Sequence, residues 1–173
     1  MNLYLDFDGV IVDSIKVTYK MMEEKGINIE DTPKVREFYR ELDWSSLLNN
    51  INQLSNSIRC IKKLQEEKTY NLYILTTVNS LDEIEAKLNY IRKFGLNIPI
   101  ISVPRGVNKN ELVDAKNNIL VDDYSGNLYS WENAGGIGVK FSEDNKKPQG
   151  FITVSSLGEL NQQKFMKRLI KKL

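Results

Sequence analysis

Short apolar blocks alternate along this chain with stretches whose apolar positions recur every three or four residues. The first block, residues 2–6, reads as a short buried strand. Asp13 or Ser14 can start a helix that runs to about Lys25 and stops at Gly26. Thr32-Pro33 is an N-cap and first-turn pair. Val35, Phe38 and Leu42 then share one helix face, and Ile58, Ile61 and Leu64 mark another helix. Residues 72–76, Leu-Tyr-Ile-Leu-Thr, predict a second buried strand. Ser80-Leu81-Asp82-Glu83 is a capping box, and Leu81, Ile84, Leu88 and Ile91 predict the buried stripe behind it. Arg92, Lys93 and Gly95 suit that helix's C-terminal end. Further strands are predicted at 98–103, at 118–121 ending in Asp122-Asp123, at 137–141 and at 151–154. A short helix around Gly126–Asn133 leads to Gly135-Gly136, a run that ends a helix and begins a strand. Lys146-Lys147-Pro148 reads as a solvated turn, and residues 157–172 as a last amphipathic helix.

Strands alternating with helices predict an α/β fold. It is a three-layer, Rossmann-like parallel sheet with helices on both faces. Right-handed crossovers bring the strand C-termini to one edge, where ligands bind in such folds. Asp6, Asp8, Thr76, Asp122 and Asp123 all lie at or just past strand ends. Roughly 55 residues separate the first two strands, more than an ordinary crossover needs. Residues 14–69 are therefore expected to form a small helical cap inserted after the first strand, with residues 1–13 and 70–173 as the core.

Composition narrows the chemistry. The 173 residues are 41% hydrophobic and 27% charged with a net charge of +1, so no strong field points to nucleic acid or an anionic membrane. No apolar run has membrane-spanning length, and no basic segment followed by an apolar one suggests a leader. With one cysteine, Cys60, no intrachain disulfide can form, and a cytoplasmic protein is expected. There is no histidine, which excludes Ser-His-Asp and Cys-His nucleophile systems and an imidazole zinc site. A metal here would need oxygen ligands, which favours magnesium or calcium.

Asp6-Phe7-Asp8-Gly9-Val10 is the most informative stretch. Two carboxylates at the end of a buried strand need compensation, and a divalent cation supplies it. Gly9 allows a sharp turn and a close ligand approach. The pair reads as the nucleophile and acid/base of a metal-dependent phosphoryl-transfer enzyme.

With a Thr at the end of an apolar strand (Thr76), a following Lys (Lys109 or Lys116) and Asp122-Asp123 after Ile119-Leu120-Val121, the chain resembles the haloacid dehalogenase superfamily, mostly phosphatases. The resemblance covers about residues 1–13 and 70–154. It implies that Asp6 attacks phosphorus to form an aspartyl-phosphate and that Asp8 moves the protons. It also implies a magnesium ion on Asp6, the Asp8 carbonyl and Asp123. Thr76, with Thr77 contributing backbone, would bind the phosphate, and Lys109, favoured over Lys116, would offset its charge. Asp122 would orient that lysine or a metal-bound water, or cap the next helix. In the cap, Phe38, Tyr39 and Trp44 could stack on a base or sugar or simply pack. Arg36 and Arg40 could meet a second anionic group or remain solvated.

The Thr76-Thr77 strand end and Val121-Asp122-Asp123-Tyr124 look similar to the 5′-nucleotidase branch, deoxyribonucleotidases included. This implies a nucleoside monophosphate as substrate. A sugar phosphatase, a phosphomutase and a non-catalytic aspartate phospho-acceptor are the alternatives. The expected partner is a small phosphorylated substrate, with neither a nucleic-acid polymer nor a membrane.

Overall fold

The computed structural model describes residues 1–144 and 150–172; the turn expected at Lys146-Lys147-Pro148 lies outside them. The elements run β1 (Asn2–Leu5), α1 (Ser14–Glu24), α2 (Thr32–Glu41), α3 (Trp44–Asn49), α4 (Ser57–Glu67), β2 (Asn71–Val78) and α5 (Leu81–Lys93). They continue with β3 (Ile100–Pro104), α6 (Lys109–Leu112), β4 (Ile119–Asp122), α7 (Ser125–Asn133), β5 (Ile137–Phe141) and β6 (Ile152–Val154). A 3-10 turn (Leu157–Asn161) and α8 (Gln163–Ile170) close the chain.

The strands form one parallel sheet in the order β3-β2-β1-β4-β5-β6. Period-2 alternation assigns their side chains to two apolar layers. Leu3, Leu5, Ile74, Ile119 and Val121 share one cluster with Ile58 and Ile61 of α4 and Ile91 of α5. Tyr4, Leu75, Val103 and Leu120 share the other with Leu128 and Trp131 of α7. This is the three-layer α/β arrangement that the pattern predicts. The chain leaves β1 toward β2 and β3, then crosses to β4 on the other side of β1. The gap between the ends of β1 and β4 is thus the sheet's topological switch point, where a ligand crevice forms.

Local departures from the predicted elements have identifiable causes. Asp31, not Thr32, caps α2, its Oδ1 accepting from Lys34 N at 3.3 Å. On α5 the stripe is displaced: Leu81 is 81% exposed, while Glu83, Ala86, Lys87, Tyr90 and Ile91 are buried. The inward face is set by a buried ion pair rather than by leucines. The last helix breaks at Gln162, whose extended backbone separates the 3-10 turn from α8. Among the described residues no helix is long and apolar enough to cross a membrane.

Candidate active site

Parallel pairing of Leu5 with both Ile74 and Val121 brings the ends of β2, β1 and β4 side by side. Asp6 continues β1, its N–H donating to Val121 O at 2.9 Å. The chain then turns tightly, with Ile11 N on Phe7 O and Gly9 N on Val12 O, both at 2.9 Å. Gly9 sits at φ +72°, and a Cβ there would lie 2.3 Å from Asp123 Oδ2. Glycine is therefore required on two counts, backbone conformation and the space taken by Asp123.

Asp6, Asp122 and Asp123 form one group, each offering a carboxylate oxygen within 4.8 Å of the others. Lys109, from the short α6, is buried beside them and reaches Asp6 Oδ1 at 2.9 Å and Asp122 Oδ2 at 2.6 Å. Burial alone would lower its pKa, but the two carboxylates raise it above the usual lysine value. Asp122 also accepts from Tyr124 N at 2.8 Å and Asn127 Nδ2 at 2.9 Å, so it ties the lysine to the start of α7. Burial raises the Asp6 carboxyl well above its ordinary value against the pull of Lys109, with Asp122, Asp8 and Asp123 adding to the rise. Burial, then Asp122, pushes Asp123 up to about 7. Lys140 also reaches in, donating to the Asp123 carbonyl, and three crowded carboxylates against two lysines still hold excess negative charge. An all-oxygen donor set of this kind fits a hard divalent cation.

Asp8 points elsewhere. Its Oδ1 accepts from Ser14 Oγ at 2.6 Å and its Oδ2 from Lys87 Nζ at 2.5 Å. Lys87 is fully buried, and it also contacts Glu83 Oε1 at 2.7 Å, Thr76 Oγ1 at 3.0 Å and Thr77 O at 3.2 Å. Its ammonium lies 5.3 Å from the Phe7 ring centre and 5.0 Å from that of Trp44. Burial would lower its pKa too, yet Asp8 and Glu83 together raise it. Glu83 Oε2 in turn accepts from Asn79 N at 2.8 Å and Asn79 Nδ2 at 3.0 Å.

A cavity of about 500 Å3 opens over these groups, with Asp6, Asp8 and Asp123 on its floor and Thr77, Trp44 and Arg105 in its wall. The strand's alternation puts Thr77 at the cavity, while Thr76 is fully buried with its hydroxyl on Lys87 and 3.5 Å from Asp8. Lys109 is at the site; Lys116 is exposed on the loop before β4. Trp44 and Tyr39 reach the cavity, whereas Phe38 is packed in the apolar cluster away from it. Arg36 and Arg40 are exposed on α2 outside the cavity. Cys60 is half-buried on α4, with Sγ 3.7 Å from Ser156 Oγ.

Lys87, Asn127 and Arg105 were not singled out from the sequence, and Ser14 and Glu83 were read only as helix-start residues. For Lys87 and Glu83 a signal existed: stepping back from Tyr90 by three and then four residues along one helix face lands on Lys87 and Glu83, themselves an i,i+4 acid–base pair.

No family model matches this chain, and no curated protein sequence does. Solved structures do. A phosphonoacetaldehyde hydrolase-like protein from Oleispira antarctica is 13% identical with a TM-score of 0.65, over 98% of this chain and 94% of that one. The β-phosphoglucomutase of Clostridium difficile is 15% identical with a TM-score of 0.60, over 98% and 97%. The D,D-heptose 1.7-bisphosphate phosphatase of B. bronchiseptica, complexed with magnesium and phosphate, is 13% identical with a TM-score of 0.58, over 100% of both chains. The chain shares the fold of these proteins and of a HAD-superfamily hydrolase from Ehrlichia chaffeensis, 12% identical with a TM-score of 0.57, over 98% of this chain and 97% of that one. The likeness spans α1–α4 as well as the sheet, because it covers nearly all of each chain.

Proposed function

We propose that this chain is a magnesium-dependent phosphomonoester hydrolase acting on a small phosphorylated metabolite. The observation that carries the reading is the convergence of Asp6, Asp8 and Asp123 on one cavity floor at the switch point, with Lys109 buried against Asp6. Asp6 is the nucleophile: a carboxylate oxygen attacks phosphorus, the bond to the leaving oxygen breaks, and an aspartyl-phosphate forms. Asp8, held by Ser14 and Lys87, delivers a proton to the leaving oxygen and takes one from the water that hydrolyses the intermediate. Thr77 donates its hydroxyl to the phosphate, and Lys109 offsets the charge on nucleophile and phosphate. Asp6, Asp123 and Asp122 would hold the magnesium ion. Bound there, it would neutralise the two anions that must approach each other.

Residues 14–69 are proposed to act as the cap over this site, since Ser14, Thr18, Tyr39 and Trp44 line the cavity. As substrate we favour a sugar phosphate over a nucleoside monophosphate. Of the cap aromatics expected to stack on a base, Trp44 is 3% exposed and already engaged by Tyr39 at 6.1 Å and by Lys87, and Tyr39 is buried under the Arg105 guanidinium. The activities for which the phosphoglucomutase and heptose bisphosphatase neighbours are named support the same choice. The test is release of phosphate from p-nitrophenyl phosphate with magnesium and with EDTA. Wild type is expected to be active only with the metal, and Asp6→Asn inactive while still folded. Asp6→Asn turning over at the wild-type rate would refute the nucleophile assignment.

A further inference from the structure

The cavity continues past its carboxylate floor. Asn79 and Arg105, part of its wall, also line an adjoining hollow of about 520 Å3, to which α2 contributes Arg36 and Arg40. The two hollows differ sharply in charge. The deep one is floored by Asp6, Asp8 and Asp123; the outer one carries Lys34, Arg36, Arg40 and Arg105 against the single carboxylate of Glu37.

Most of that positive charge is uncommitted. Lys34 is paired with Asp31 at 3.1 Å, and Arg40 stands 4.0 Å from Glu37 with both side chains exposed. Among the described residues neither Arg36 nor Arg105 has a carboxylate at ion-pair distance. Arg105 is nonetheless held in place. Its guanidinium lies 5.6 Å from the centre of the Tyr39 ring, Nη1 donates to Asn79 Oδ1 at 3.3 Å, and its backbone N–H donates to Val78 O at 3.2 Å. A guanidinium has five N–H donors in a fixed fork suited to a phosphate or carboxylate, and here one is used. Cations gathered without counter-charge repel one another, and an anion bridging them relieves that repulsion.

We propose that this hollow is a second oxyanion subsite, read out by Arg105 with Arg36 and Arg40. The preferred substrate then carries a second phosphate or carboxylate besides the phosphomonoester that is cleaved. This rests on the phosphatase reading above and narrows its substrate class. The acidic floor with its cation takes the reacting phosphate, and the arginines take the far end of the molecule. A substrate is thereby oriented along the cavity as well as bound.

The test compares kcat/KM within matched pairs: fructose bisphosphate against fructose monophosphate, and phosphoglycerate against glycerol phosphate. Wild type is expected to prefer the doubly anionic member of at least one pair by about tenfold, the order of one charge-assisted contact. The pair with the larger ratio identifies the second group. The ratio should fall toward one in Arg105→Gln and in Arg36→Gln/Arg40→Gln, the latter confined to exposed positions of α2. Equal kcat/KM within both wild-type pairs, or ratios unchanged in both variants, would overturn the subsite.

Calorimetric titration of the same four compounds into Asp6→Asn protein with magnesium reads the preference without turnover. If wild type hydrolyses nothing while an Arg105-dependent binding preference persists, the phosphatase reading falls and the subsite stands. If p-nitrophenyl phosphate is hydrolysed and no preference exists in either measurement, the subsite alone falls.

Discussion

Lys87 is an ammonium removed entirely from water, gripped by Asp8 and Glu83 at 2.5 and 2.7 Å. A buried ion pair is weak evidence for net stability, but removing one partner strands the other. Lys87→Met should therefore destabilise the protein by about 3–5 kcal/mol in urea unfolding, with Glu83 left buried and unpaired. The double variant Lys87→Met/Glu83→Met should recover part of that loss. A single variant unfolding at the wild-type midpoint would show that the cluster carries no such strain. At this scale the sequence was legible where the chemistry is contiguous: Asp6, Asp8 and Gly9 stand together, and Asp122-Asp123 announce themselves after an apolar strand. Lys87 was less so: its i,i+4 partner Glu83 is visible in the sequence, but its other partner, Asp8, is 79 positions away. The Thr76–Thr77 choice depended on strand register, which is fixed only once β2 pairs with its neighbours.

Elements position these residues through backbone fit as well as side-chain packing. The return from α7 to β5 is an example. Gly135 takes φ +82°, and the next glycine has no room for a side chain: a Cβ on Gly136 would lie 2.3 Å from Trp131 Nε1 and 2.7 Å from Ala115 O. Trp131 is fully buried and its indole N–H donates to Asn118 O at 3.0 Å, just before β4. Gly136→Ala should displace that indole, costing about 1–3 kcal/mol and shifting the Trp131 fluorescence. An unchanged melting temperature and spectrum would contradict it. The strands were readable as elements because each is a compact apolar run closed by a polar residue or glycine. Helix faces were less so. The stripe chosen on α5 followed its leucine and isoleucine positions, whereas the observed inward face includes Glu83 and Lys87, which hydrophobicity alone assigns to solvent.

The molecule as a whole uses its topology to gather negative charge. β1 and β4 are neighbours only because the chain reverses its direction of travel across the sheet, and their ends bring Asp6, Asp122 and Asp123 within 4.8 Å of one another. The consequence for stability has a definite sign. With no histidine in the chain, few ordinary groups titrate between pH 5 and 8. Asp123, raised to about 7, and Asp6, also raised, hold protons in the folded state that their unfolded counterparts have lost above about pH 4. The folded state thus binds more protons, and metal-free stability should fall as pH rises through this window, by at most about 1.4 kcal/mol per pH unit for each such group. A divalent cation binds the ionised carboxylates, so its stabilising effect should grow with pH. The central claim is that these three carboxylates form a cation centre. The most direct test is thermal unfolding at pH 5 and pH 8, with EDTA and with magnesium. The account predicts a lower melting temperature at pH 8 than at pH 5 in EDTA, a rise with magnesium that is larger at pH 8, and loss of that rise in Asp123→Asn. A melting temperature indifferent to magnesium at both pH values would contradict it.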